Sequence, residues 1–177
     1  MARGISLRQF RPGDAEAVHR WFNDAAATSN LVEYRESFSE EDAREWVARA
    51  IAAEGDDRKW AIEVEGIDDP VGFTALYGIG RQTPPELGTV VGDPRARGLG
   101  VGREAERLTN LKAFEEFGAH KVFGLIPADN ESAKKAVIYN GWKQEGVMRD
   151  HARRGDELID VEIWGGFAED LPEPPED

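Results

Sequence analysis

The sequence contains no cysteine, which excludes disulfides, a thiolate nucleophile, cysteine-ligated zinc and any cysteine-based covalent mechanism. Nowhere does an apolar run approach the roughly 20 residues of a membrane span. The opening Met1-Ala2-Arg3-Gly4-Ile5 lacks the basic-then-apolar order of a secretion signal, so the cytoplasm is the expected compartment. Basic residues are in the minority, 22 Lys and Arg against 35 Asp and Glu, for a formal net charge of -13. A field of that sign works against non-specific binding to nucleic acid or an anionic membrane, and neither is an expected partner. It mildly favours a cationic substrate, although solubility is the plainer reason for it. Part of the acidic excess sits in Glu169–Asp177, an acidic, proline-rich stretch expected to be a disordered tail.

What remains reads as one domain, residues 1–168 of the 177, long enough to bury a core without staples. Ile5 to Phe10 alternates as a strand and stops at Arg11-Pro12-Gly13. Asp14 is placed to cap a helix whose apolar positions are Val18, Trp21, Phe22 and Ala25. Asn23 to Asn30 reads as loop, and Ser39-Glu40-Glu41-Asp42 as a capping box opening a helix that ends at Gly55. The period then changes to two: Trp60, Ile62 and Val64, then Val71, Phe73, Ala75 and Tyr77, form a hairpin. Glu86 to Gly92 is a further strand. A long helix from about Val101 to Phe117 is expected to bury Ala105, Leu108, Leu111 and Phe114. Lys121 to Ile126 reads as a strand covered on both faces. A short helix over 130–140 precedes a closing hairpin, Gln144 to His151 and Leu158 to Trp164. The order β-α-α-β-β-β-α-β-α-β-β implies a single α/β domain with a mixed, mostly antiparallel sheet.

The densest chemical signal is Arg97-Gly98-Leu99-Gly100-Val101-Gly102, between a strand and a helix. Three glycines let successive backbone N–H groups point into one concavity, and the helix start adds partial positive charge. Such a nest holds a phosphate or pyrophosphate without a metal, and none is expected. It is not a Walker loop, because no Gly-Lys-Ser/Thr follows. Arg103 stands where the dinucleotide fingerprint requires its third glycine. A ligand-free glycine-rich turn is the alternative that the glycines alone leave open.

In context, Arg97, Gly100 and Gly102 form the Arg-x-x-Gly-x-Gly pattern, which resembles the acetyl-CoA signature of the GNAT superfamily of N-acetyltransferases. Glu86 to Pro94 before it is similar to that family's fourth strand and exit. Asn130-Glu131-Ser132-Ala133 and Gly141-Trp142 resemble its later helix and that helix's ending. Trp21-Phe22-Asn23-Asp24, Ser39 to Trp46, and Gly146 to Asp150 running into Ile159-Asp160-Val161 resemble the branch that acetylates ribosomal-protein N-termini. The resemblance implies a sheet with two splayed strands and acetyl-CoA as the acyl donor. It implies that Val90, Val91 and Gly92 pair with pantetheine, that Arg97, Gly98, Leu99, Gly100, Val101 and Gly102 hold the pyrophosphate, and that Asn130 reaches the pantetheine arm. A plain N-cap suits Asn130 equally.

The implied reaction moves an acetyl group to a primary amine, either a protein or peptide N-terminus or a small amine such as an amino sugar or antibiotic, by direct attack in a ternary complex. An ammonium with a pKa of about 10.4 needs a base, and Glu86 stands where several family members keep a carboxylate; a solvent-facing glutamate at the strand start is the alternative. An oxyanion is best met by a backbone N–H, expected at Val91 or its neighbour. The family's general acid is a tyrosine four residues before the helix-ending glycine, a position held here by Val137. Solvent or Ser132 is left for that task, with Tyr139 a weak substitute. Acceptor recognition is assigned to Glu33, Tyr34, Tyr77 and His151, with Arg35 and Arg149 to Arg154 nearby. Trp21, Trp46 and Trp60 are expected in the core. A non-catalytic CoA-binding sensor or interaction module of the same fold, and a homodimer, both stay open.

Overall fold

The computed structural model describes residues 4–29, 31–32, 37–53 and 55–173. In chain order these form β1 (Ile5–Arg8), α1 (Ala15–Phe22), α2 (Ala25–Thr28), α3 (Glu40–Ala52), β2 (Arg58–Val64), β3 (Gly72–Tyr77) and β4 (Glu86–Val91). There follow α4 (Val101–Leu111), β5 (Val122–Pro127), α5 (Glu131–Tyr139), β6 (Lys143–Arg154) and β7 (Glu157–Gly166). The strands make one seven-stranded sheet in the order β1-β2-β3-β4-β5-β7-β6. Every neighbouring pair is antiparallel except β4 and β5. The mixed α/β expectation is met.

Alternation along the strands sorts the core into two layers. Ala61, Phe73 and Val90 face α1 and α3, where they meet Val18, Trp21, Ala43 and Val47. Leu76, Leu87 and Val122 face the opposite way and pack with Ala113, Val137 and Trp142, while Ile62, Val64 and Val71 meet Val101 and Ala105 of α4. The first layer is rich in aromatics. Phe22 lies 4.6 Å from Phe38, and Trp46 lies 5.0 Å from Phe73 in an edge-to-face contact, the geometry that ring quadrupoles favour.

Local chemistry explains most boundaries. The Ser39 hydroxyl accepts from Asp42 N at 3.1 Å and Asp42 accepts from Ser39 N at 2.9 Å, closing the expected box on α3. Asp14 behaves differently from expectation. Its carboxylate accepts from the Arg8 guanidinium at 2.7 and 2.9 Å and from Arg11 N at 2.7 Å, and does not cap α1. Burial raises its pKa, but those hydrogen bonds more than offset that and hold it below the usual range. The stretch read as loop after Asn23 contains α2, because Asp24 caps it by accepting from Ala26 N at 2.9 Å.

The buried face of α4 is also rotated from the expected one. Glu106, Thr109, Asn110 and Ala113 are buried alongside Ala105, whereas Leu108, Leu111 and Phe114 are only partly covered. At the C-terminal end, Ala168–Asp170 forms a 3-10 turn in which Asp170 accepts from Phe167 N and Lys143 Nζ. The part of the expected disordered stretch at Glu169 and Asp170 is therefore ordered; residues 174–177 lie outside the described ones.

The feature that positions the site is the join between β4 and β5. Their parallel pairing has a single register pair, Glu86 with Phe123, supported by Phe123 N donating to Pro85 O at 3.2 Å. Beyond Glu86 the strands part, and the sheet opens toward their C-terminal ends.

Candidate functional site

Two chambers meet at this opening. The first, of about 420 Å³, runs from the glycine loop past β4 to α5, lined among others by Val91, Arg97, Gly98, Gly100, Val101, Gly102, Arg103, Ser132 and Lys135. The second, of about 520 Å³, lies toward the aromatic layer and is lined by Phe22, Trp46, Phe73, Tyr77, Glu86, Val137 and Trp142 among others. Leu31, Thr89, Val90, Glu106, Asn130 and Ala133 border both. One opening through the sheet thus links a polar, glycine-lined end to an aromatic end carrying a carboxylate.

The loop end is suited to an anion. Gly98 and Gly100 have φ of 74° and 78°, values an L side chain rarely adopts. Gly100 is the N-cap of α4 and supplies no capping side chain, so the first-turn amides are left to an outside acceptor. The backbone and the helix N-terminus fit the diphosphate of CoA. Leu99, by contrast, is 53% exposed and borders neither chamber.

Arg97 turns its guanidinium inward. It donates to Val91 O at 3.3 Å and Gly92 O at 2.6 Å and pairs with Asp24. This ties the loop to the end of β4 and to the cap of α2, and it lowers the Asp24 pKa. Gly92 is a close-approach position: a Cβ there would stand 2.1 Å from Trp21 Cγ.

Asn130 caps α5 by accepting from Ala133 N at 3.1 Å while bordering both chambers. Cap and chamber lining therefore coincide in one residue. A hydroxyl relay fixes its neighbour Thr89. Thr109 donates to Ala105 O at 2.7 Å, Thr74 stands 2.9 Å from Thr109, and Thr89 stands 3.0 Å from Thr74. Each hydroxyl has one proton. With that of Thr109 given to Ala105 O, the Thr74 proton goes to Thr109 or to Gly88 O at 3.3 Å, and in either case Thr89 donates to Thr74.

In the second chamber Glu86 and Tyr77 are register partners across β3 and β4. Burial, with the charges of Asp57 and Glu86 added, pushes the Tyr77 hydroxyl up to about 12. Lys59 Nζ sits 5.0 Å from the Tyr77 ring, and burial lowers its pKa. Trp21 and Trp60 are buried as expected, whereas Trp46 also lines this chamber. Val137 is buried there too, at the family's tyrosine position. Tyr139 is 41% exposed and stacks under Arg103 at 4.0 Å, outside both chambers. Ser132 is exposed and borders only the first. His151 is exposed on β6 and lines neither chamber. Glu33, Tyr34 and Arg35 lie outside the described residues.

Glu106 is the group that the sequence reading missed. It is 8% exposed, borders both chambers, and accepts one long hydrogen bond, from Asn140 Nδ2 at 3.5 Å. Burial pushes its carboxyl up to about 8 against the opposing pull of that bond. In the sequence, Glu106 and Asn110 read as ordinary polar positions beside the expected face of Ala105, Leu108, Leu111 and Phe114, so no local signal marked them.

Comparison with known proteins agrees with this geometry. Residues 5–143 match the family model described as Acetyltransferase (GNAT) domain. A curated relative, the "Uncharacterized N-acetyltransferase YoaA" of Bacillus subtilis (strain 168), is 22% identical over 162 residues, covering 90% of this chain and 91% of its own. Among solved structures, the spermidine N-acetyltransferase from Vibrio cholerae in complex with CoA and spermine superposes with a TM-score of 0.83 at 18% identity, covering 94% of this chain and 96% of that one. A GNAT-family acetyltransferase from Bacillus anthracis gives 0.81 at 23% identity, with 96% and 98% covered. The family match spans most of the chain, and the chain belongs to the GNAT family of N-acetyltransferases.

Proposed function

We propose that this chain is a cytoplasmic enzyme transferring the acetyl group of acetyl-CoA to a primary amine by direct attack in a ternary complex. The observation that carries the reading is the continuous opening between β4 and β5, with an anion nest at one end and an aromatic, carboxylate-bearing chamber at the other. The amides of Gly98 to Gly102 would hold the diphosphate, and the parted edge of β4 at Val90 and Val91 would pair with the pantetheine amides, as an added strand does. A backbone N–H near Val91 would meet the developing oxyanion. Glu86, on the acceptor side, is the candidate to take the ammonium proton, directly or through water.

A compact amine suits a chamber of about 520 Å³ walled by Phe22, Trp46, Phe73 and Tyr77. The Vibrio cholerae relative was solved with spermine, and an overall charge of -13 favours such cations. The resemblance to the branch acting on ribosomal-protein N-termini keeps a peptide N-terminus among the acceptors, and a homodimer remains part of the proposal. Val137, in place of a tyrosine, favours a second reading, a CoA-binding module without turnover.

Release of free thiol from acetyl-CoA across a panel of polyamines, amino sugars, arylalkylamines and peptide N-termini separates the two. Turnover with any of these supports the enzyme; tight CoA binding with no turnover supports the module. Glu86→Gln should remove the base-dependent rise of rate with pH, and an unchanged profile would show that another group takes the proton.

A further inference from the structure

The family's usual acid is missing, yet the opening contains an acid of its own. Of the six residues bordering both chambers, Leu31, Val90 and Ala133 are apolar. Neither Thr89, whose hydroxyl lies 3.0 Å from that of Thr74, nor the amide Asn130 is an acid at ordinary pH. That leaves Glu106, more than nine-tenths buried, on the α4 side of the opening. One of its oxygens meets Asn140; the other has no hydrogen-bond partner among the described residues.

We propose that Glu106 is the general acid that protonates the sulfur leaving from acetyl-CoA, in the place that a tyrosine on α5 occupies elsewhere in the family. This rests on the acetyl-transfer reading. As the carbon–sulfur bond breaks, its electron pair goes to sulfur and the Glu106 proton passes to it, giving the free thiol and a Glu106 carboxylate. The ammonium nitrogen gives up two protons on its way to the amide, one before attack and one as the tetrahedral intermediate collapses, each to Glu86 or water and from there to solvent. Glu106 takes one proton back from solvent when the product thiol departs, so each cycle releases one proton net.

The environment keeps such an acid loaded. Burial is the dominant cause of its raised pKa, about 8, close to the ~8.5 of an ordinary thiol, so the transfer is nearly balanced. Among the described residues, the charged and titratable groups around it do not supply a counter-charge. Arg107 is held by Glu104, Arg103 lies over Tyr139, Lys135 lines only the first chamber, and Glu86 and Tyr77 line only the second.

The test is Glu106→Gln against wild type, with calorimetry, steady-state kinetics and the carboxyl-carbon NMR signal of Glu106 assigned by difference. The expected result is a kcat lower by about 10²-fold or more, an acetyl-CoA Kd within about threefold, and loss of the alkaline fall in kcat that wild type shows at or above pH 8. NMR of the wild-type acetyl-CoA complex should find Glu106 protonated at pH 7. A kcat within about twofold of wild type, or an ionised Glu106 at that pH, overturns the proposal while leaving the transferase reading intact. Should the variant fail to fold, the wild-type NMR titration decides alone. Absence of turnover by wild type with every amine defeats the underlying reading instead, and this proposal with it.

Discussion

Replacing Glu106 by glutamine should stabilise the protein, and by an amount that depends on pH. The carboxyl titrates near 4.5 when exposed and at about 8 in the folded chain. Between those values the folded state holds a proton that the unfolded state has released, so stability falls as pH rises, by about 1.36 kcal/mol per unit. Below pH 4.5 this group contributes no pH dependence; above about 8 the full penalty is present, on the order of 5 kcal/mol. Glutamine matches the shape, can still accept from Asn140, and never ionises. Urea denaturation of wild type and Glu106→Gln at intervals from pH 5 to 9 should give curves that nearly coincide at the acid end and diverge upward for the variant. At about 2–4 °C per kcal/mol for a chain of this size, the melting temperatures should separate by roughly 10–20 °C at pH 9. Parallel curves across the range would refute the reasoning, because a buried acid without a counter-charge has to produce this slope.

The Arg97–Asp24 pair should behave as one clamp on the end of β4: Arg97→Lys and Asp24→Asn each weaken CoA binding several-fold, and calorimetry of the double variant should show less than the sum of the two losses. Full additivity would mean that the pair does not act together. Gly100→Glu puts a carboxylate and a left-handed strain of about 1–2 kcal/mol at the start of α4, and should weaken CoA binding by about hundredfold or more while circular dichroism stays native. Unchanged affinity would remove the loop from the cofactor site. Gly141 has φ of 81°, and a Cβ there would stand 1.9 Å from Asp170 O. Gly141→Ala should therefore cost about 2–5 kcal/mol in denaturant titration, and a loss under 1 kcal/mol would show that the 168–170 turn gives way freely.

Periodicity, capping chemistry and the glycine cluster were enough to read the mixed sheet, the glycine-rich turn at the start of α4 and the element order apart from the short α2, because each depends on residues close together in the chain. The Ser39–Asp42 box and the positive φ at Gly98 and Gly100 are of this kind. Asp14 and α4 show where local reading stops. Asp14 looks like a cap until Arg8 and Arg11 claim its oxygens. Leu108 and Leu111 look like the core face of α4 until the sheet and α5 turn Glu106, Thr109 and Asn110 inward.

The sequence by itself determined that residues 97–102 form a strand-to-helix turn able to gather backbone amides around an anion, since glycine's freedom and a helix start are properties of neighbours. Only the tertiary structure decided that β4 and β5 part after one register pair, that two chambers join through the gap, and that Glu106 stands at the junction with no counter-charge among the described residues. A carboxyl's acidity depends on what surrounds it, and here the surroundings come from two helices and the parted edge of the sheet, brought together by folding.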